Sequence, residues 1–260
     1  MPNRVISPQL NMKSSVIFLI GALLTLLLLA NGLHQALVVA PTEQTMGDVQ
    51  RIFYYHVSSA WVMFVCFFVN FLASIFYLVR RSLRSDAMAL ASAEVGVVFC
   101  TIVLVTGPLW AKPVWGIWWT WDARLTTTLV LWLIYVSYLL LRRLSLSEQM
   151  PVIAAAMAIF GFLDVPIVYM SIRWWRTQHP QPVIAGGPGS GIDPVMRHAL
   201  YANFWAFLAY GALVVWFRYM LENRQNRLRA LETWVPIADD DPAIVGPLDG
   251  EPIQRPGEAS

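Results

Sequence analysis

The sequence has 260 residues, of which 57% are hydrophobic and only 13% are charged, and its mean hydropathy is +0.55. These fractions lie well outside the range of soluble globular domains, so we expect a membrane protein. The formal net charge of +2 is too small to indicate a nucleic-acid partner.

Six stretches of the chain are long and apolar enough to cross a bilayer as helices, since about 20 residues span roughly 30 Å of hydrocarbon. They are residues 16–40, 58–79, 86–109, 125–141, 150–172 and 199–217. A cleaved signal peptide is the alternative for the first stretch. Its apolar run is longer than the usual ~7–15 residues and lacks a typical cleavage site, so we interpret it as a retained helix. The sequence therefore predicts an all-α membrane protein, a six-helix transmembrane bundle.

Lys and Arg residues are distributed unevenly between the two sides of the predicted bundle. Eleven precede the tail on the side of the N terminus, and six lie on the opposite side. Because cytoplasmic connections carry the excess of Lys and Arg, both termini are predicted to be cytoplasmic. We expect residues 1–229 to form the bundle and residues 230–260, which contain few groups able to pack, to form a disordered cytoplasmic tail.

Tryptophan is concentrated in the third connection of this bundle, on the side away from the termini. Five of the twelve tryptophans lie within residues 110–121, namely Trp110, Trp115, Trp118, Trp119 and Trp121. Rigid indole faces suit a flat ligand, and Asp122 and Arg124 supply polar groups at the edge of this run. Two alternatives stay open, because aromatic residues also gather at membrane interfaces and Asp122 has the position of an N-cap for the fourth helix.

Arg124 is predicted in the first turn of the fourth helix, where the helix dipole disfavours a cation by about 0.3–1 kcal/mol. We therefore expect some other group to hold it, and an anionic ligand is a candidate. A guanidinium binds a carboxylate well through two parallel hydrogen bonds. The other arginines available for this on the same side are Arg51, Arg173 and Arg176.

Two histidines are predicted on the same side as the tryptophans. His56 lies where the first connection enters the second helix, and His179 lies just beyond the fifth helix. Neutral imidazoles from two connections, with an aromatic surface between them, suit a bis-histidine iron porphyrin. Zinc fits less well because no Cys or carboxylate cluster completes a tetrahedral site. His34 and His198 could substitute as ligands, although we interpret them as structural.

Two ionisable residues, Glu94 and Asp164, fall inside the third and fifth predicted helices. Such groups are costly in a bilayer and usually face the interior of a bundle. We interpret them as part of an inward path or as packing contacts. Their different expected depths argue against a direct pair between them.

Residues 115–126, with the sequence WGIWWTWDARLT, resemble the tryptophan-rich signature called WWD in the haem-handling proteins of cytochrome c maturation. Six helices, a histidine after the first and another after the fifth narrow the resemblance to one family. This is the cytochrome c maturation protein C family, also called haem exporter protein C. The resemblance covers about residues 16–224 and excludes the tail.

The resemblance implies a haem-binding platform, made by the tryptophan run with Asp122 and Arg124, on the periplasmic side of the bacterial inner membrane. It implies that His56 and His179 ligate the iron of haem b, which is bound as cargo. The family presents haem to a haem chaperone, cytochrome c maturation protein E, for covalent attachment. The other partners implied are the ABC-type subunits A and B and the small membrane protein D, besides membrane lipid. The expected role is haem loading rather than conventional enzyme catalysis.

Two other functions remain open from the sequence alone. An integral haem electron carrier would hold haem between helices near the membrane core, and His34 is the only histidine expected deep in a span. A non-haem transporter would use the aromatic residues as a membrane anchor and Glu94 or Asp164 in a polar pathway.

Overall fold

The computed structural model describes residues 12–145, 147, 149–184 and 191–232. Its α-helices are α1 Met12–His34, α2 Ile52–Arg80, α3 Leu83–Trp115, α4 Ala123–Leu144, α5 Met150–Phe162, α6 Asp164–Trp174 and α7 Pro194–Glu232. A π-helical turn, Gln35–Val39, extends α1, and a 3₁₀ turn, Asp48–Arg51, leads into α2. Within the described residues, 6 helical segments are long and apolar enough to cross a membrane, with α5 and α6 forming one of them. The prediction of an all-α protein with six spans is confirmed.

Several helices extend past the apolar stretches from which they were predicted. The second helix begins at Ile52 rather than at residue 58, and α3 continues to Trp115 rather than ending at residue 109. Hydropathy marks the part of a helix that lies in hydrocarbon, whereas backbone hydrogen bonding continues into the polar flanks. As a result, His56 lies inside α2, and Trp110 lies on α3 instead of in a connection.

The fifth predicted span is divided at Leu163 into α5 and α6. Pro166 is in the first turn of α6 and has no N–H to donate to the carbonyl of Phe162, so the continuous hydrogen-bond ladder is interrupted here. The division leaves the segment as one crossing from Met150 to Trp174.

The core of the bundle lies between α2, α3, α4 and the fifth span. Phe67 of α2 stacks on Tyr135 of α4, with 3.8 Å between ring centroids and 11° between ring planes. Gly96 of α3 makes this possible, because a Cβ at that position would lie 2.6 Å from the Phe67 ring. A glycine at this contact lets α2 and α3 approach closely, as small residues do in membrane helix pairs.

Two ion pairs connect helices away from the predicted site. Arg142 of α4 donates two hydrogen bonds, of 2.6 and 2.7 Å, to the Asp86 carboxylate of α3. Arg218 of α7 binds Glu94 of α3 in the same bidentate manner, at 2.6 and 2.7 Å. Glu94 therefore pairs with an arginine and not with Asp164, whose buried Oδ2 has no hydrogen-bond partner among the described residues.

The chain divides into two compact units, residues 1–223 and 224–260. The first unit contains the site described below. The second is described only as far as residue 232, as the last turns of α7. The tail was predicted to begin at residue 230, but the helix runs to Glu232. Residues 233–260, the rest of the predicted disordered tail, lie outside the described residues.

Candidate functional site

At one end of the bundle, hydrogen bonds join residues that are far apart in the sequence. At this end α2, α4 and α7 begin, and α3 and α6 end. We call this the tryptophan end. The bonds join Arg51 to Ala36, His56 to Thr106, Ser58 to Leu200, Arg124 to Val168 and Thr177 to Asp122. The connections after the first, third and fifth spans therefore meet at one end, as the alternating topology predicts.

His56 lies on the second turn of α2 with its imidazole against α3. Its Nδ1 is 2.9 Å from Thr106 Oγ1. The Thr106 hydroxyl is also 2.6 Å from the Ile102 carbonyl oxygen, to which it donates. Because the single hydroxyl proton is used in that bond, Thr106 accepts from His56 Nδ1–H. This tautomer leaves a lone pair on His56 Nε2, the form in which a histidine binds a metal.

His179 reaches the same state by a different contact. Its Nδ1 is 2.9 Å from the carbonyl oxygen of Pro180, which can only accept, so Nδ1 carries the proton and Nε2 carries the lone pair. Burial lowers the pKa of His179 to about 4, and the Arg124 guanidinium contributes in the same direction. The imidazole is therefore neutral at pH 7 and able to act as a ligand.

The two imidazoles belong to residues far apart in the sequence and share one charged neighbour. His56 interacts electrostatically with His179, and both interact with Arg124. Both histidines are partly buried. The predicted ligand pair therefore lies at one end of the bundle, around a single guanidinium.

Arg124 is held by a neighbouring helix. Its Nη1 donates to the backbone carbonyls of Val168 and Tyr169 on α6. These carbonyls offset the unfavourable position of a cation in the first turn of α4, so an anionic ligand is not required to explain it. Arg124 Nε and Nη2 have no acceptor within the described residues and remain able to bind one.

Asp122 joins the tryptophan connection to the connection that carries His179. It caps α4 by accepting from the backbone N–H of Leu125 at 3.0 Å, as the N-cap interpretation predicted. It also accepts from the Thr177 hydroxyl at 2.9 Å. Thr177 Oγ1 in turn accepts from the His179 backbone N–H at 3.1 Å. Asp122 thus positions His179 through Thr177.

The tryptophan run does not form a single flat wall. Trp110 and Trp115 lie on α3 and meet edge to face, with an interplanar angle of 85°, and Trp119 and Trp121 meet at 79°. Gly116, with φ of 79°, ends α3 between Trp115 and Trp118. The five rings are therefore divided between the end of a helix and the connection that follows it.

Two of the three rings in the connection are exposed. Trp118 is 55% exposed and Trp121 is 75% exposed. Trp121 and Trp119 line a shallow depression with Leu104 of α3 and Leu129 of α4. The Trp119 Nε1–H is buried and has no acceptor within the described residues. These rings supply apolar faces and one hydrogen-bond donor at the tryptophan end, where the two histidines also lie.

The other predicted candidates have different surroundings from those of His56 and His179. The four hydrogen bonds of the Arg51 guanidinium go to Ala36, Ala40, Thr42 and Asp48, which ties the end of the π-helical turn to the start of α2. Arg173 lies over the Tyr169 ring, 5.0 Å from its centroid. His34 and His198 are exposed on α1 and α7. No group of three or more His, Cys, Asp or Glu side chains in the described ranges could hold a bare metal ion.

Comparison with known proteins gives the family. A family model described as heme exporter protein C matches residues 4–234. The chain belongs to the heme exporter protein C family. Heme exporter protein C of Bradyrhizobium diazoefficiens is 36% identical over 170 residues, which are 65% of this chain and 64% of that protein.

Two further relatives of the heme exporter protein C family cover more of the chain. Heme exporter protein C of Escherichia coli (strain K12) is 35% identical over 181 residues, 69% of this chain and 72% of its own length. A putative cytochrome c biosynthesis ccmC-like mitochondrial protein of Arabidopsis thaliana is 32% identical over 211 residues, 80% of this chain and 77% of its own length. The resemblance drawn from the WWD signature is confirmed.

Sequence reasoning about this heme exporter protein C family member missed the residues that hold the histidines. Thr106, Thr177 and the Pro180 carbonyl fix the imidazoles or the backbone beside them. Threonine is common in apolar helices and connections, where its hydroxyl usually bonds to nearby backbone. The sequence offered one signal for Thr106, its position one helical turn before Trp110. This position points to a role in the site only once α2 is known to lie beside α3.

Proposed function

We propose that this protein binds haem at the tryptophan end and presents it for cytochrome c maturation. His56 and His179 ligate the iron of haem b through Nε2. Haem is the cargo, and the protein acts by holding and orienting it. This makes the protein a loading factor rather than a conventional enzyme.

One observation carries this proposal. Two histidines from distant parts of the chain, on α2 and after α6, each have Nδ1 committed to an acceptor and no hydrogen-bond partner on Nε2 within the described residues, and both lie at the tryptophan end. A pair of neutral imidazoles with free Nε2 atoms is the donor set of a bis-histidine iron porphyrin. A porphyrin supplies the other four nitrogens to the iron itself, so two histidines complete the donor set.

The remaining residues of the predicted site have separate roles in this proposal. Trp118 and Trp121 offer exposed rings to the macrocycle, and Trp110, Trp115 and Trp119 complete the aromatic surface. Arg124 Nε and Nη2 bind a propionate, while Nη1 stays on α6. Asp122 keeps its cap and its bond to Thr177. Holding the porphyrin by its iron and by one propionate leaves an edge of the ring available for transfer.

The acceptor of the cargo is proposed to be the haem chaperone cytochrome c maturation protein E. The ABC-type subunits A and B and the small membrane protein D of the same system are the proposed partners in the membrane. The excess of Lys and Arg on the side of the termini supports a location in the bacterial inner membrane with the tryptophan end on the periplasmic side.

Absorption spectroscopy on the purified protein tests the proposal. The wild type, coexpressed with its partner subunits, is expected to show the Soret band and low-spin spectrum of bis-histidine haem. His56→Ala and His179→Ala should each lose the low-spin spectrum and the transfer of haem to the chaperone. His34→Ala and His198→Ala are matched controls, because both histidines are exposed on α1 and α7. Loss of the spectrum in His34→Ala alone would favour an electron carrier, and absence of haem from every preparation would favour a non-haem transporter.

A further inference from the structure

We infer that Thr106 is a positioning residue that holds the His56 imidazole as the Nδ1–H tautomer, which leaves the Nε2 lone pair available to the cargo iron. The inference rests on the proposed role of His56 as an iron ligand. It concerns a residue outside the tryptophan signature, on a different helix from the histidine that it holds. The observation behind it is the contact of 2.9 Å between Thr106 Oγ1 and His56 Nδ1.

The direction of this hydrogen bond follows from the neighbours of Thr106. Its hydroxyl is 2.6 Å from the Ile102 carbonyl and 3.4 Å from the Val103 carbonyl. A separation of 2.6 Å between two oxygens requires a proton between them, since two bare acceptors would repel each other. The hydroxyl proton therefore points to Ile102. The oxygen can only accept from His56, which fixes the imidazole as the Nδ1–H tautomer.

The residue next to Thr106 leaves room for the ring. A Cβ on Gly107 would lie 3.5 Å from His56 Cε1, so the edge of the ring lies beside this glycine. The ring is therefore bonded through Nδ1 to one residue of α3 and lies alongside the next, where a side chain would come into van der Waals contact with it. Rotation about the bond to Cβ would break the hydrogen bond, and this leaves Nε2 in one orientation.

The hydrogen bond also changes the imidazole as a ligand. An acceptor on Nδ1–H increases the electron density at Nε2, and the loss of such an acceptor typically costs about 10–100-fold in metal affinity. The bond should therefore both strengthen the His56–iron interaction and stabilise the oxidised iron. Loss of the acceptor is expected to raise the reduction potential of bound haem.

Thr101 provides a matched control on the same helix. Its hydroxyl donates to the Val97 carbonyl at 2.8 Å, as Thr106 does to Ile102, and its oxygen accepts from Trp132 Nε1 at 2.8 Å. Both threonines thus bridge their own helix to a ring nitrogen of a neighbouring helix. Only Thr106 bridges to a histidine of the site, so replacing each with valine separates the general loss of a bridging hydroxyl from the specific effect on His56.

The experiment compares Thr106→Val, Thr106→Ser and Thr101→Val by haem titration and redox titration of the full chain in detergent. Thr106→Val is expected to bind haem about 10–100-fold more weakly, with a raised midpoint potential. Thr106→Ser should restore both values, because it keeps the hydroxyl, and Thr101→Val should match the wild type. If Thr106→Val does not fold, Thr106→Ala removes the same hydroxyl with a residue that a helix accommodates more easily.

The outcomes distinguish this inference from the proposed function. If His56→Ala loses the low-spin spectrum while Thr106→Val retains wild-type affinity and potential, the inference is wrong and the proposed function stands. If His56→Ala keeps the low-spin spectrum, the proposed ligand itself is wrong, and the role of Thr106 fails with it. A fall in affinity of similar size in Thr101→Val would also overturn the inference, since it would reflect general loosening of the bundle.

Discussion

Replacing Thr177 with valine tests whether Asp122 of the WWD motif acts on haem binding through His179. The substitution preserves size and β-branching but removes the hydroxyl that donates to Asp122 at 2.9 Å and accepts from the His179 N–H at 3.1 Å. A hydrogen bond to a charged group contributes about 1.5–3 kcal/mol and a neutral one about 0.5–1.5 kcal/mol. Because Thr177 is only partly buried, we use the lower values. Removing both hydrogen bonds then destabilises the ordered state of the connection that carries His179 by about 2 kcal/mol.

This loss sets a limit on the change in haem affinity. A binding-competent state depleted by about 2 kcal/mol weakens apparent binding by up to about 30-fold, since each 1.4 kcal/mol is a factor of ten. Titration of the purified protein with haem, followed at the Soret band, measures the change. Thr120→Val is the control, because Thr120 donates to the same Asp122 oxygen at 3.4 Å. Equal affinities for the two variants would refute the coupling of Asp122 to His179 through Thr177.

Three further predictions concern stability and titration. Asp86→Asn should lower the free energy of unfolding by about 3–5 kcal/mol, because it leaves a buried guanidinium without its charged partner. Detergent or thermal unfolding measures the change, and a value below about 1 kcal/mol would contradict the prediction. Gly96→Ala should lower the thermal midpoint, because its Cβ would lie 2.6 Å from the Phe67 ring, and an unchanged midpoint would show that the contact can relax. In the haem-free protein, the His179 ring should titrate near pH 4 by NMR, since burial and a nearby guanidinium both disfavour the imidazolium; a midpoint near 6.5 would contradict the described environment.

The number of spans could be predicted from the sequence, but the ends of the helices could not. Apolar length reports the hydrocarbon that a segment crosses, and it gave the six spans. It did not report that α3 continues past Pro108 and Pro113 to Trp115. Each proline removes one backbone hydrogen-bond donor, but α3 remains helical past both positions. The prediction of a tryptophan connection was therefore only partly right, because two of its five rings belong to a helix.

The site could be predicted as far as topology determines it. Alternating spans bring His56, the tryptophans and His179 to one end of the bundle, where Arg124 interacts electrostatically with both imidazoles. The partners of these groups were beyond prediction, because each depends on which helix lies beside which. The dipole argument for Arg124 shows the difference. It indicated that something must stabilise the cation, but the carbonyls of Val168 and Tyr169 are chosen by helix packing.

Two of the hydrogen bonds of Arg51 fasten the turn after the first helix to the start of α2. Most of α1 faces outward, where lipid or a neighbouring subunit would touch it. The carbonyls of Ala36 and Ala40, just beyond its end, are nevertheless joined through one guanidinium to the start of α2, a little over one helical turn before His56. The position of an outward-facing helix is thus coupled to that of a histidine at the tryptophan end.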